Sequence, residues 1–257
     1  AATGPDGVVA IKEVICRDRD ALDLAEAEGR FLRAAAAESS GGAEAPWQIP
    51  SLFAMRTDQL GPEKWRLLLL MTQVPGVSLD KFLEARSSEC RRIEAPCHAL
   101  SGACRLAQEL VAQLALAFRH FEDRVLHRDA GLRNILIEER DSAWPPCFGL
   151  VDFGLAVDAA AWREGRWQQE NIAGDCRYWP VSAWLVFGSG VQELCRNSIL
   201  QEEYETRLDL HSVGITGLQL IAELSTKAGP SGPSACAGDQ VLVKLQSFQA
   251  AWYKYWK

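Results

Sequence analysis

Apolar and polar positions alternate almost from the start of the chain. Val8-Val9-Ala10-Ile11-Lys12-Glu13-Val14-Ile15 is rich in β-branched residues and follows the turn residues Pro5-Asp6-Gly7, which predicts a strand with Lys12 inside it. A helix is expected next, from Asp18 or Asp20, whose carboxylates suit an N-cap, to about Ala37. Leu24, Glu28, Phe31 and Leu32 share its more apolar face at helical spacing, and Ser39-Ser40-Gly41-Gly42 ends it. Further strands are expected over residues 52–55 and 66–71.

The pattern changes at Pro75-Gly76, the expected hinge between a small strand-rich part (residues 1–74) and a mainly helical part (residues 75–224). In the second part residues 80–88 predict a short helix. Residues 103–121 predict a long one, with Leu106, Leu110, Leu114 and Phe118 stacked at intervals of four. Residues 134–137 and 148–151 read as two short strands around the loop 138–146. A long, mostly polar segment follows Gly154 as far as Gly174, then the aromatic residues Tyr178, Trp179 and Trp184, then a helix over residues 209–224. Residues 225–239, with the core Thr-Lys-Ala-Gly-Pro-Ser-Gly-Pro-Ser, have linker composition. Residues 241–257 form an amphipathic run whose Leu245, Phe248, Trp252, Tyr255 and Trp256 are expected to pack a terminal helix onto the helical part.

Composition narrows the class. The 257 residues suffice for a sizeable core in one or two lobes. A formal charge of -7 gives no support for an extended nucleic-acid surface. The apolar runs are too short for a transmembrane segment, and no secretory signal is visible. Of the eight cysteines, Cys90, Cys97 and Cys104 recur every seven residues with only His98 nearby, and there is no close Cys-x-x-Cys pair. Reduced, mostly buried thiols in an intracellular protein are expected, with the compartment open.

The chemistry is concentrated in two stretches. His127-Arg128-Asp129 is followed by Asn134, and Asp152-Phe153-Gly154 interrupts the apolar run Phe148-Gly149-Leu150-Val151. Phosphoryl transfer leaves the protein little covalent work, and requires placed cations, neutralised charge and an oriented nucleophile. Lys12 supplies positive charge, Asp152 and Asn134 supply hard oxygen ligands, and Asp129 supplies a further carboxylate. Each has a plain structural alternative: a gatekeeper lysine on an edge strand, a turn acid, a cap, a hairpin residue.

Taken together and in order, these motifs resemble a eukaryotic protein kinase catalytic domain, over residues 8–224. The resemblance implies an α+β, two-lobed protein-kinase-like fold, with one main helix in the strand-rich lobe. Val9-Ala10-Ile11-Lys12 is similar to the strand whose lysine holds the nucleotide phosphates, with Glu28 as its partner and Glu26 as the alternative. His127 to Asn134 is similar to the catalytic loop. This implies Asp129 as acceptor or orienter of the substrate hydroxyl proton, and Asn134 and Asp152 as Mg2+ ligands. ATP is the implied co-substrate, met by Lys12, Glu28, Asp152 and the hinge residues Met71, Gln73 and Val74. Asp209-Leu210-His211-Ser212-Val213-Gly214 resembles the start of the buried helix under the catalytic loop, with Asp209 accepting backbone hydrogen bonds from it.

Four departures accompany the resemblance. No glycine-rich turn is seen ahead of Lys12. Gly131 stands where serine/threonine kinases carry a lysine, while Arg133 resembles the tyrosine-kinase cation; Gly174-Asp175-Cys176-Arg177-Tyr178 looks more like the serine/threonine version, with Asp175 in place of threonine. Pro180-Val181-Ser182 lacks the glutamate of the next motif. Residues 155–177 contain no serine, threonine or tyrosine, so Arg128, which in the family clamps a phosphorylated residue, is expected to meet Asp175 or Glu170. The expected activity is phosphoryl transfer from ATP to a protein hydroxyl, serine or threonine before tyrosine. The alternatives are a pseudokinase scaffold that binds partners through the Trp184 to Gly190 insertion, and a small-molecule phosphotransferase.

Overall fold

The computed structural model describes residues 9–36, 47–89, 96–139, 145–225 and 237–256. The turn at Pro5-Asp6-Gly7, the helix end at Ser39 to Gly42, the loop residues 140–144 and the linker residues 226–236 lie outside them. The protein is mixed α+β, with a strand-rich N-terminal region and a helical C-terminal region.

In the N-terminal region β1 (Val9–Cys16) is followed by α1 (Arg19–Ala36), β2 (Trp47–Gln48), β3 (Leu52–Gly61) and β4 (Lys64–Thr72). Asp18 Oδ1 accepts from the Ala21 N–H, the capping bond expected from its position. Strands β1, β4 and β3 form an antiparallel sheet with β4 central, and Lys12 is opposite Leu69. β3 runs well past residue 55 because Asp58 ties Arg56 on its own strand to Arg66 on β4, which lets polar residues continue a half-solvated ladder. Helix α1 turns Leu22, Glu28 and Leu32 inward, whereas Leu24 is 61% exposed. Of the expected face, Glu28 and Leu32 are buried and Phe31 packs against the core, and Leu24 alone is turned out. Gly29 lies on the inner face, since a Cβ there would be 2.7 Å from Met55 Sδ.

The C-terminal region starts with β5 (Val77–Ser78), α2 (Leu79–Glu89) and α3 (Pro96–Phe121). α3 begins seven residues before the expected start, at a proline, which is tolerated in the first helical turn because its missing N–H would have no helical acceptor. β6 (Val125–Leu126), β7 (Ile135–Glu138) and β8 (Cys147–Leu150) follow, with the small sheet ordered β2-β8-β7-β5. Buried Gln113 of α3 holds that sheet, donating to the Pro146 carbonyl and accepting from the Phe148 N–H, each at 2.9 Å. After β9 (Val157–Asp158), paired with β6, come α4 (Ala159–Arg163), α5 (Val181–Ser189), α6 (Val191–Cys195), α7 (Ser198–Thr206), α8 (Leu208–Ser225) and α9 (Ala237–Trp256).

Two apolar clusters hold these elements. One joins α1, the sheets, α3 and α8. The other gathers Trp162, Trp167, Ala183, Leu194 and Tyr204, so the stretch after Gly154, expected to be polar, is anchored by two tryptophans. The 182–209 insertion is helical, with Ala183 and Leu194 buried and Trp184 and Phe187 outward. Of the five described cysteines, for which mostly buried thiols were expected, Cys16 and Cys147 are buried, Cys176 is partly buried, Cys104 and Cys195 are exposed, and none is paired. Among the described residues no helix is long and apolar enough to cross a membrane.

Candidate active site

Strand β1 presents Lys12 toward α1, and Lys12 Nζ donates to both carboxylate oxygens of Glu28 at 2.8 Å. Glu28 is 3% exposed, so a buried carboxylate is neutralised by a cation of the sheet. Glu26, the alternative, instead accepts from the Thr57 hydroxyl. Lys12 Nζ also reaches Asp152 Oδ1 at 2.5 Å, joining the two regions of the molecule. Burial works against the Lys12 charge, but its bonds to Asp152 and Glu28 outweigh this and raise its pKa above the usual lysine value. Burial likewise opposes the Asp152 charge, and the Lys12 bond together with the Gly154 N–H reverses the balance, leaving its pKa below the usual carboxylate value.

The loop 127–134 is fixed from beneath. Asp209, at the start of α8, accepts the His127 and Arg128 backbone N–H groups, each at 2.7 Å. Arg128 has φ 64°, a left-handed conformation that a non-glycine residue adopts only when its surroundings impose it. Burial pushes the Asp209 carboxyl pKa up, while His127 and the two N–H donors favour its charged form. The fully buried His127 ring lies 3.1 Å through Nε2 from the Val151 carbonyl and 4.7 Å from the Phe153 ring, so the loop also grips the strand end that carries Asp152.

Asp129 is held from two sides. Asn134 Nδ2 donates to Asp129 Oδ2 at 2.8 Å and to its carbonyl at 2.9 Å, and the Asp175 N–H donates to Asp129 Oδ1 at 3.0 Å. The second bond depends on Gly174, at φ +84°, where a Cβ would fall 2.1 Å from the Arg128 carbonyl oxygen. The Asp175 carboxylate caps the 3-10 turn Cys176–Tyr178 and pairs with Arg177. This corrects one expectation: Asp175 does not meet Arg128. Arg128 Nε donates to the Leu155 carbonyl at 2.8 Å and Nη1 to the Asn171 carbonyl at 3.4 Å, with the guanidinium 5.0 Å from the Trp162 ring centre. Glu170 acts on Arg128 only as a nearby charge and forms its ion pair with Arg166.

Lys12, Glu28, Met71, Gln73, Val74, Asp129, Arg133, Asn134 and Asp152, the nine residues expected to meet nucleotide, metal or acceptor, line two cavities that meet at Asp152. One, of about 340 Å3, is bounded by Lys12, Glu28, Met71, Gln73, Val74 and Asp152. The other, of about 450 Å3, is bounded by Asp129, Arg133, Asn134 and again Asp152, with Asp175 and Arg177 on its wall. The first is mostly apolar and ends at a lysine; the second is polar. Among the described residues no three His, Cys, Asp or Glu side chains converge as a metal cage. The oxygens Asn134 Oδ1 and Asp152 Oδ2 are not used by the hydrogen bonds above, and both residues face the polar cavity. One carboxylate and one amide oxygen fit a small hard cation such as Mg2+, which keeps several waters and takes other ligands from phosphate.

Several further residues, some of them named in the sequence without a place at the site, surround it. Tyr178 lies over Gly131 and donates through Oη to Gln219 Oε1 at 3.1 Å. Trp252 of α9 backs it, with ring centres 6.1 Å apart. Glu203 of α7 accepts from the Ser182 N–H at 3.1 Å, which ties α7 to the first turn of α5. Trp162 and Trp167 had a usable signal in Asp158, whose side chain accepts from the Ala161 N–H as an N-cap. Comparison of the chain with the described protein families finds no match, and no curated protein is significantly similar to it.

Proposed function

We propose that the chain has a two-lobed protein-kinase-like fold and transfers the γ-phosphoryl group of ATP to a protein hydroxyl, serine or threonine before tyrosine. The observation that carries this reading is the junction of the two cavities at Asp152, with Lys12 in the apolar one and Asp129 with Asn134 in the polar one. The apolar cavity takes the nucleotide base between Met71, Gln73 and Val74. Lys12 meets its phosphates, and Glu28 keeps Lys12 charged and in place. Mg2+, held by Asp152 and Asn134, would neutralise phosphate charge. Asp129 accepts the proton of the acceptor hydroxyl as that oxygen bonds to the γ-phosphorus and ADP leaves. Arg133 places a cation on the wall where the developing charge faces the polar cavity.

A scaffold reading is favoured by a different observation. Trp184 and Phe187 are 38% and 64% exposed and lie with Trp179 and Trp256 in one aromatic group, a surface suited to a protein partner. The deciding experiment is transfer from γ-labelled ATP with Mg2+ to casein, for the wild type and Asp129→Asn. Transfer by the wild type and its loss in the variant is the expected result. Equal transfer by both would remove Asp129 from the role, and absence of both transfer and MgATP binding would leave the scaffold reading.

A further inference from the structure

We propose that Trp162 is a positioning residue for Asp129, acting through Arg128, and that this contact sets the site with no phosphoryl group on the segment after Gly154. The inference rests on the reading of Asp129 as the proton acceptor. Arg128 is covalently next to Asp129 and is held in a left-handed conformation, so what fixes its side chain also bears on the aspartate. Three groups meet its guanidinium: the Leu155 carbonyl, the Asn171 carbonyl and the face of Trp162. None of the three is an anion and all belong to that segment, while Glu170, also of the segment, acts only as a nearby charge and makes its ion pair with Arg166. A cation over the face of a buried indole is an attraction that needs no modification to switch it on.

Trp162 is itself immobilised. It is 1% exposed, its indole N–H donates to the Tyr204 carbonyl at 3.1 Å, and its ring lies 5.5 Å from the Tyr204 ring. Trp167 is equally buried and donates to Glu205 Oε1 at 3.0 Å, so the segment is fastened to α7 at two points. Residues 155–177 contain no hydroxyl side chain to phosphorylate. The segment therefore carries its own apolar anchor, and Arg128 is clamped by part of it.

The experiment uses the full chain, purified after phosphatase treatment and checked by intact mass, with casein as acceptor. Trp162→Phe keeps an aromatic face, and Trp162→Leu keeps an apolar side chain without one. The expected result is full transfer by the phosphate-free wild type. Trp162→Phe stays within about threefold of it, while kcat falls about tenfold or more in Trp162→Leu with the KM for ATP little changed. Loss of wild-type transfer on dephosphorylation, or an unchanged kcat in Trp162→Leu, would overturn the proposal. Should the leucine variant fail to fold, Arg128→Met supplies the same split in kcat and KM. Should the wild type neither bind MgATP nor transfer phosphate, the kinase reading itself falls. Amide hydrogen exchange then decides the structural claim: faster exchange at Arg128 and Asp129 in Trp162→Leu but not in Trp162→Phe supports it, and equal exchange overturns it.

Discussion

The ring of Tyr178 occupies the space that a side chain on Gly131 would need: a Cβ at Gly131 would lie 2.7 Å from Cε2 of the ring. Tyr178 cannot easily retreat, because Gln219 holds its hydroxyl and Trp252 stands behind it. Here, then, is the physical reason for glycine at a position where the kinase resemblance leads one to expect lysine. Gly131→Ala should destabilise the protein by about 1–3 kcal/mol through overpacking. Combining it with Tyr178→Leu should cost less than the two single changes added together. Urea denaturation of the three variants measures this; simple additivity would mean the ring is free to move.

Lys12 and Glu28 form an unequal pair, because the Lys12 side chain is 34% exposed and that of Glu28 4%. Removing the lysine strands a buried carboxylate, whereas removing the acid leaves a cation that still has Asp152 and water. Lys12→Met should therefore lower stability by about 1–3 kcal/mol, more than Glu28→Gln does, and the double variant should recover part of the loss. Chemical denaturation gives the order, and the reverse order would show that Glu28 is satisfied without Lys12.

The Lys12 to Asp152 contact also fixes a pH window. Because the folded-state pKa of Asp152 lies below 3.8, its contribution to stability is present above that value and is lost only as pH falls through the lower, folded one. Because that of Lys12 lies above 10.5, its contribution is full below that value and is lost as pH rises through the higher one. The stability difference between wild type and Asp152→Asn should stay level from about pH 5 to 9 and narrow outside that range. A difference already shrinking between about pH 6 and 5 would mean that Lys12 does not hold Asp152.

Much of this was legible because the informative residues sit on long periodic elements or in short polar motifs. The register of Leu106, Leu110, Leu114 and Phe118 on α3 and the placing of Lys12 within a strand follow from spacing alone. The fixation of Asp129 does so only on its Asn134 side. The other side depends on a backbone N–H of Asp175 and on the absent side chain of Gly174, contacts that spacing does not reveal. Trp162 and Trp167 lie on elements of five and three residues, too short for periodicity to reveal which side is buried. On α1 the one misplaced residue is Leu24, apolar yet exposed, while Gly29, which has no side chain to count as apolar, lies on the inner face against Met55.

Asp209 gives the last test, since one carboxylate satisfies two backbone donors in a buried place. Asp209→Asn retains the shape, but its amide can accept through only one atom, so one of the His127 and Arg128 N–H groups loses its partner, at a cost of about 1–3 kcal/mol. Asp209→Ala leaves both donors unmatched and should cost more than the asparagine variant. The Arg128 backbone N–H then has no acceptor, and with only its side chain still held the strained residue should relax toward the right-handed region, carrying Asp129 with it. Hydrogen exchange at the two amides should therefore rise from wild type to Asp209→Asn to Asp209→Ala, and transfer to casein should fall in the same order. Equal exchange in all three proteins would show that the loop keeps its shape without the carboxylate beneath it.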